Sequence, residues 1–249
     1  ILQFIQRLKI KPATFSGVKE KIMASLKNTL LNKPINQLFA DVNILLQENT
    51  FSQESILNEV AKLELAELHL QANAYFEKIH IEGLVVGNWQ VAQINSFHTA
   101  VVECFKGMDK VLKSSRNIAQ IQQQKLCIQH SQSHQEHAIV LYFQCASNSI
   151  ENRALYVAIE KLLSPIFFDE LRNKRNLGYL VGCGYFPVNK RPGLAVYVQS
   201  PSYSSDQLYC AITEVIEEFV DNIDEFAPIF ENFKQSLKKQ FVVFDSNTN

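Results

Sequence analysis

The chain has 249 residues, of which 47% are hydrophobic, and its 24 Lys and Arg residues against 25 Asp and Glu residues give a net charge of −1. This length fits one large domain or two ordinary ones, and the apolar fraction excludes a disordered protein. The balanced charge lacks the basic excess of nucleic-acid binders, and no apolar run reaches the roughly 18–20 residues needed to span a bilayer. We therefore expect a globular protein with no nucleic acid and no membrane among its partners.

Residues 17–77 are predicted to be helical. Apolar residues recur at helical spacing in a first segment around 22–30, in a second that opens at Pro34, and in a third that opens at Ser52. Gly17 is the only glycine before position 83, so short polar turns alone separate these segments.

The pattern changes after these helices. Residues 78–86 predict a strand that alternates first and is then continuously apolar, and residues 89–106 predict another helix. The polar stretch 108–123 is the best candidate linker. We place a domain boundary within it, between residues 1–114 and residues 115–249.

The second half is rich in strands. The predicted elements, in chain order, are a strand at 138–146, a helix at 149–175 interrupted near Ser164 and Pro165, strands at 179–186 and 193–200 joined by a turn at 189–192, and helices at 204–221 and 225–241. This order predicts an α+β fold, with helices packed on one face of a mixed, largely antiparallel sheet.

The cysteines are odd in number and widely spaced, and they form no CxxC pair that would suggest a zinc ribbon. Their mostly apolar neighbours indicate buried, reduced thiols. Such thiols are typical of a reducing compartment, so we expect a cytoplasmic protein. The five are Cys104, Cys127, Cys145, Cys183 and Cys210.

A cluster of His130, His134, Glu136 and His137 invites a zinc interpretation. Its spacing does not fit a zinc peptidase, because these enzymes place two histidines one helical turn apart with a glutamate between them. The sequence from His134 to His137 is one residue short of HxxEH, and the segment precedes an apolar strand. We interpret it as a polar loop.

Cys183, flanked by Gly182 and Gly184, is a second candidate, either as a nucleophile or as a buried thiol. Glycines inside a strand more often mark a bulge or close backbone approach. We favour the buried thiol. A cysteine peptidase would require sensitivity to thiol reagents and insensitivity to chelators.

The third candidate is the segment 171–179, in which Gly178 suits the position just past a helix end. Arg172 would lie at that helix end and Tyr179 at the start of the next strand, so that both project from the same end of the layer. The simpler interpretation is a well-terminated helix with solvated arginines. A guanidinium and a phenol that converge there could also bind a carbonyl and stabilise an oxyanion.

The residues from 164 to 181 resemble the last domain of the insulinase (pitrilysin-like, M16) zinc metallopeptidases, with Leu-Arg followed by Gly-Tyr as the most specific part. Residues 192–200 are similar to the next strand of that domain, and residues 80–88 are similar to the closing strand of the third domain. The resemblance implies the latter part of the third domain in residues 1–114 and most of the fourth in residues 115–249.

The resemblance also implies a mechanism. Four related α+β domains would close like a clamshell around a peptide, and the first would carry HxxEH and a further Glu that bind zinc and activate water. Arg172 would bind a substrate carbonyl near the scissile bond, and Tyr179 would help to stabilise the tetrahedral intermediate. Phe168 would line the pocket for the residue after the scissile bond.

No HxxEH occurs in residues 1–249. If the resemblance holds, this chain is the C-terminal, non-catalytic half of an endopeptidase, its partners are peptides and the N-terminal half of the same polypeptide, and the Zn²⁺ ligands lie outside it. We expect no metal or peptidase activity in this chain alone. The alternative is a structural or binding module from an inactive homologue.

Two expectations concern the chain's limits and location. It begins at Ile1 rather than Met, and the last domain should continue beyond Phe244, so we expect both ends to be cut from a longer protein. A periplasmic location is the alternative to the cytoplasm, since bacterial relatives of this kind include periplasmic ones.

Overall fold

A computed structural model of the chain describes residues 10–75, 78–106, 109–113, 117–121, 127–129 and 134–242. The elements, in chain order, are α1 (Pro12–Leu30), α2 (Pro34–Leu46), α3 (Gln53–Lys62), α4 (Leu65–Tyr75), β1 (Lys78–Ile79), α5 (Val91–Cys104), β2 (Asp109–Lys110), β3 (His137–Gln144), α6 (Ile150–Phe168), a π-helical turn (Asp169–Lys174), β4 (Leu180–Tyr185), β5 (Gly193–Ser200), α7 (Ser205–Asp221), a 3₁₀ helix (Ile223–Phe226) and α8 (Ala227–Val242).

The chain divides into two compact units. The first comprises residues 1–31 and 53–115, and the second comprises residues 32–52 and 116–249. Helix α2 is therefore part of the second unit, although it lies early in the sequence. The predicted domain boundary between residues 114 and 115 lies outside the described residues and stays a prediction.

In the first unit, α1 packs against α3. The Lys19 ammonium donates hydrogen bonds to the carbonyl oxygens of Ala61 and Leu63, at 2.8 and 2.9 Å, and so satisfies acceptors at the C-terminal end of α3. Strand β1 pairs in parallel with β2 over two residues.

The strand predicted at 78–86 is wrong beyond Ile79. Strand β1 contains only Lys78 and Ile79, and the apolar side chains of Ile81, Leu84 and Val86 are exposed. A strand exists only where a neighbouring strand completes its backbone hydrogen bonds, and the ladder between β1 and β2 ends at Ile79. Apolar alternation alone could not reveal where that pairing stops.

The segment predicted as a linker, 108–123, contains more structure than expected. It includes β2, and Ile118 forms an isolated antiparallel bridge with Gln47 at the end of α2. Residues 108, 114–116 and 122–123 lie outside the described residues.

The second unit contains a three-stranded antiparallel sheet with the order β3-β5-β4. The strand predicted at 193–200 matches β5, which is central and buried along nearly its whole length. His137 pairs with Ser200, and Leu180 pairs with Gln199. The start of β3, the start of β4 and the end of β5 therefore meet at one end of the sheet, called here the site end.

Helices α6 and α7 cover one face of this sheet. Leu208, Ile212, Val215 and Phe219 recur along one side of α7 and are buried. They share a core with residues of α6 and of the three strands. That shared part of the core includes Leu163, Phe167, Val181, Cys183, Leu194, Val196 and Val198.

Helix α2 lies against the opposite face of the sheet. The Phe39 ring lies 5.3 Å from the Tyr197 ring of β5, edge to face, and 5.2 Å from the Phe186 ring, between ring centroids. The α+β class and the small antiparallel sheet are confirmed. The sequence predicted helices on one face of the sheet only, whereas α2 packs on the other face.

The interruption predicted near Pro165 is wrong. Helix α6 continues through Pro165 to Phe168, and the change comes at the π-helical turn that follows it. The fixed φ of proline, near −65°, is compatible with a helix, although proline lacks an N–H donor and its ring crowds the carbonyl one turn before it. In the turn the hydrogen bonds widen, so that the Arg175 N–H donates to the Glu170 carbonyl at 2.9 Å.

The expectation of buried cysteines holds only in part. Cys145 and Cys183 are buried and Cys104 is half-buried, whereas Cys127 and Cys210 are exposed. All five are thiols. Within the part of the chain that the structure describes, no helix is both long enough and apolar enough to cross a bilayer.

Candidate functional site

Tyr179 lies immediately before β4, at the site end of the sheet, and its side chain is 38% exposed. Its hydroxyl donates a hydrogen bond to Glu136 Oε2 at 2.8 Å and accepts one from Gln199 Nε2 at 2.9 Å. The phenol is thus held in one orientation while part of it faces solvent. This position agrees with the predicted start of the strand.

Arg172 lies in the π-helical turn, half-buried, seven residues before Tyr179. Its Nη1 donates a hydrogen bond to the carbonyl oxygen of Gly178. The peptide that joins Gly178 to Tyr179 therefore links the two predicted site residues. A guanidinium has five N–H donors, so this contact leaves further donors for a carbonyl or carboxylate.

The role predicted for Gly178 at the helix end is wrong, because Asn176 takes that position. Asn176 has a φ of 50°, in the left-handed region, and the Leu177 N–H then returns to the Leu171 carbonyl at 2.9 Å. Gly178 instead allows close approach. A Cβ there would lie 2.1 Å from the carbonyl oxygen of Gln199 in β5.

Phe168 is the last residue of α6, and its ring is exposed. It precedes Arg172 by four residues, across the junction with the π-helical turn. The exposed ring offers an apolar surface to solvent. The pocket role that the family resemblance implies for Phe168 stays a prediction.

Glu136 and Gln199 complete the site, and the sequence did not assign them to it. Glu136 immediately precedes β3, and Gln199 is the second-last residue of β5 and is fully buried. Gln199 Nε2 donates to Glu136 Oε2 as well as to Tyr179, and Gln199 Oε1 accepts the Ile35 N–H at 3.1 Å. Gln199 thereby satisfies one of the open donors of the first turn of α2.

The electrostatics of this cluster favour an ionised Glu136 and a neutral Tyr179. The hydrogen bond from Gln199, followed by that from Tyr179, holds the pKa of Glu136 below its usual range despite some desolvation. The same carboxylate raises the pKa of Tyr179 above 10. The Lys33 ammonium lies 5.2 Å from the centroid of the Tyr179 ring, a cation–π contact.

The histidine cluster does not form a metal site among the described residues. His134 accepts the Glu136 N–H on Nδ1 at 3.3 Å, and His137 is the first residue of β3. No group of three or more His, Cys, Asp or Glu side chains in the described ranges could hold a metal ion, and His130 lies outside them. The described residues therefore do not fit a zinc ion.

Comparison with known proteins identifies relatives along nearly the whole chain. A family model described as PQQ synthase PqqF-like, C-terminal lobe domain 4, matches residues 158–249. The insulin-degrading enzyme of Drosophila melanogaster is 24% identical in an alignment that covers 95% of this chain and 25% of that enzyme. The chain is homologous to the C-terminal region of the M16 peptidases. It spans about a quarter of the length of the insulin-degrading enzyme that it matches.

Solved structures of M16 proteins share the fold of this M16 homologue. The crystal structure of pitrilysin has a TM-score of 0.77 at 16% identity, over 95% of this chain and 25% of that one. A peptidase M16 inactive domain from Pseudomonas fluorescens has a TM-score of 0.61 at 17% identity, over 88% of this chain and 54% of that one. The predicted resemblance to the M16 family is confirmed.

Proposed function

We propose that this chain is the C-terminal, substrate-binding half of a zinc-dependent metalloendopeptidase that encloses peptides and hydrolyses them. The observation that carries the proposal is the placement of Tyr179, whose neutral phenol is partly exposed at the site end. Arg172 lies near it, since its guanidinium donates a hydrogen bond to the carbonyl oxygen of the preceding residue, Gly178. The homology to the insulin-degrading enzyme, along 95% of the chain, supports a peptidase.

In this proposal Arg172 and Phe168 bind the substrate, and Tyr179 stabilises the intermediate formed during bond cleavage. Arg172 binds a peptide carbonyl near the scissile bond through its remaining N–H groups. Tyr179, whose phenol is neutral at neutral pH, donates its O–H to the oxyanion of the tetrahedral intermediate. Phe168 contacts the side chain that follows the scissile bond.

The metal belongs to the absent part of the protein in this proposal. Zinc would activate the attacking water, and its ligands would lie in the N-terminal half of the same polypeptide. The 249-residue chain should therefore show no zinc-dependent turnover of a quenched peptide, and elemental analysis should find no stoichiometric zinc. Appreciable turnover that a chelator abolishes would contradict this division of roles.

Tyr179→Phe in the full-length protein tests the role of the phenol. We expect kcat to fall about 10- to 1,000-fold, the effect of losing one oxyanion donor, with a smaller change in KM. Tyr185→Phe removes a hydroxyl at the other end of the same strand, β4, and should leave kcat unchanged. An unchanged kcat in Tyr179→Phe would assign that residue to packing.

A second candidate function is a structural or binding module. The shared fold with the M16 inactive domain from Pseudomonas fluorescens favours it, because that fold occurs there in a domain described as inactive. The upstream sequence of the parent distinguishes the two, since a peptidase needs HxxEH and a third protein ligand for zinc. Peptide binding without hydrolysis by the full-length protein would favour the module.

We also propose a cytoplasmic location, with the periplasm as the alternative. The five thiols support it, because exposed cysteines such as Cys127 and Cys210 persist most readily in a reducing compartment. Fractionation of the source cells, followed by immunodetection, tests this directly.

A further inference from the structure

Tyr179 has a single hydroxyl proton, and a neighbouring residue already accepts a hydrogen bond from it. The carboxylate of Glu136 is ionised at neutral pH and can only accept, so the O–H of Tyr179 must point to Glu136 Oε2, 2.8 Å away. The Gln199 amide donates into the same hydroxyl oxygen at 2.9 Å. In the absence of a substrate, the O–H of Tyr179 is therefore already engaged in the hydrogen bond to Glu136.

Two further contacts keep this arrangement in place. Gln199 is fully buried and is anchored by the Ile35 N–H of α2, so its amide has a fixed direction. The Lys33 ammonium lies over the Tyr179 ring and contributes to the ionised state of Glu136. Glu136 and Lys33 lie outside residues 158–249, the range of the matching family model.

We propose that Glu136 restrains Tyr179: it holds the Tyr179 hydroxyl in the substrate-free protein and must release it before Tyr179 can donate to a substrate. A hydrogen bond to a carboxylate is stronger than one to a neutral carbonyl. A peptide carbonyl in its ground state therefore competes poorly for this proton, whereas the oxyanion of a tetrahedral intermediate competes well. The proposal rests on the proposed function of Tyr179 and adds to it a regulatory contact.

The contact itself can be tested in the 249-residue chain without any enzymatic activity. Tyrosine labelled with ¹³C at Cζ reports each phenol by NMR, and the signal lost in Tyr179→Phe assigns that residue. We expect the pKa of Tyr179 to fall toward its ordinary range in Glu136→Gln. Glu218→Gln removes the same charge from α7, outside the cluster, and should leave the pKa of Tyr179 unchanged.

The full-length protein tests the consequence for catalysis. Glu136→Gln should raise kcat about three- to tenfold, because a neutral amide retains the proton less strongly than a carboxylate. A role in folding alone would lower activity or leave it unchanged. Glu136→Asp keeps the charge but shortens the reach to the hydroxyl, and serves if Glu136→Gln folds poorly. It should also lower the pKa of Tyr179 and raise kcat.

The outcomes separate the two proposals. An unchanged pKa of Tyr179 in both Glu136 variants overturns the holding contact, whatever the activity. A lowered pKa with a reduced kcat shows that Glu136 assists Tyr179 instead of restraining it, which also overturns the inference. If the full-length wild type hydrolyses no peptide, the proposed function fails, while the NMR titration still decides whether Glu136 holds the hydroxyl.

Discussion

The thiol of Cys183 shows how burial determines the chemistry of a single residue. It lies on β4 between two glycines and is packed into the core of the second unit. Burial raises its pKa to about 12, and the nearby Glu160 carboxylate adds to the shift. Because the thiolate is the reactive form of cysteine, burial and the raised pKa both favour an inert thiol at Cys183. The interpretation as a buried thiol is supported over that as a cysteine peptidase.

Thiol labelling should separate the cysteines by exposure. With a water-soluble thiol reagent at pH 8, we expect Cys127 and Cys210 to react rapidly in the native chain. Cys145 and Cys183 should react on the order of 100-fold more slowly, or only after unfolding. Mass spectrometry of the digested protein assigns each site. Cys210→Ser should remove one rapid site only. Rapid native labelling of Cys183 would contradict its burial.

The sequence could predict the local part of the site but not its distant contacts. Arg172 and Tyr179 are seven residues apart, and a helix end followed by a strand suffices to place both at the site end. Glu136 and Gln199 come together only through the register of β3 and β4 against β5. The position of Lys33 depends on how α2 packs on the sheet. Such pairings have no signature in local spacing.

At the scale of the elements, the connection between the π-helical turn and β4 requires glycine at position 178, because there is no space for a Cβ. Gly178→Ala would place a Cβ 2.1 Å from the Gln199 carbonyl oxygen, and a strand backbone at the centre of a sheet cannot shift cheaply. We expect a loss of about 1–3 kcal/mol in the free energy of unfolding, measured by urea denaturation. Gly184→Ala, on β4, meets open space and should cost far less. Equal losses would contradict this account.

The strands and helices differed in how well the sequence predicted them. The helix predicted at 204–221 matches α7, whose N-cap Ser204 accepts the Gln207 N–H while Gln207 caps the Ser204 N–H. These signals are local, so they are readable from the sequence. The strand predicted at 78–86 failed because strands need partners elsewhere in the chain. At Gly182 the sequence predicted a bulge or close backbone approach, whereas the group that lies over this glycine is the side-chain ring of Tyr197.

At the scale of the whole molecule, the two units differ in how much apolar surface they bury. Every buried hydrophobic residue among the described ranges belongs to the second unit. In the first unit large apolar side chains are exposed, with Leu84 at 89% and Leu112 at 94%. Burial of apolar surface is the main stabilising contribution to folding. The described residues of the first unit therefore supply little of this stabilisation.

Hydrogen exchange should therefore resolve the two units within the intact chain. We expect amides of β5 and α7 to exchange only through global unfolding, and amides of α1 and α3 to exchange at least about 100-fold faster, because opening them exposes little additional apolar surface. Mass spectrometry of peptic peptides measures both sets in one experiment. Helix α2 provides the internal control, since it lies early in the sequence but belongs to the second unit and buries Ile35 and Leu46. Its amides should be protected like those of α7, and equal protection of α1 and α2 would show that the units unfold as one.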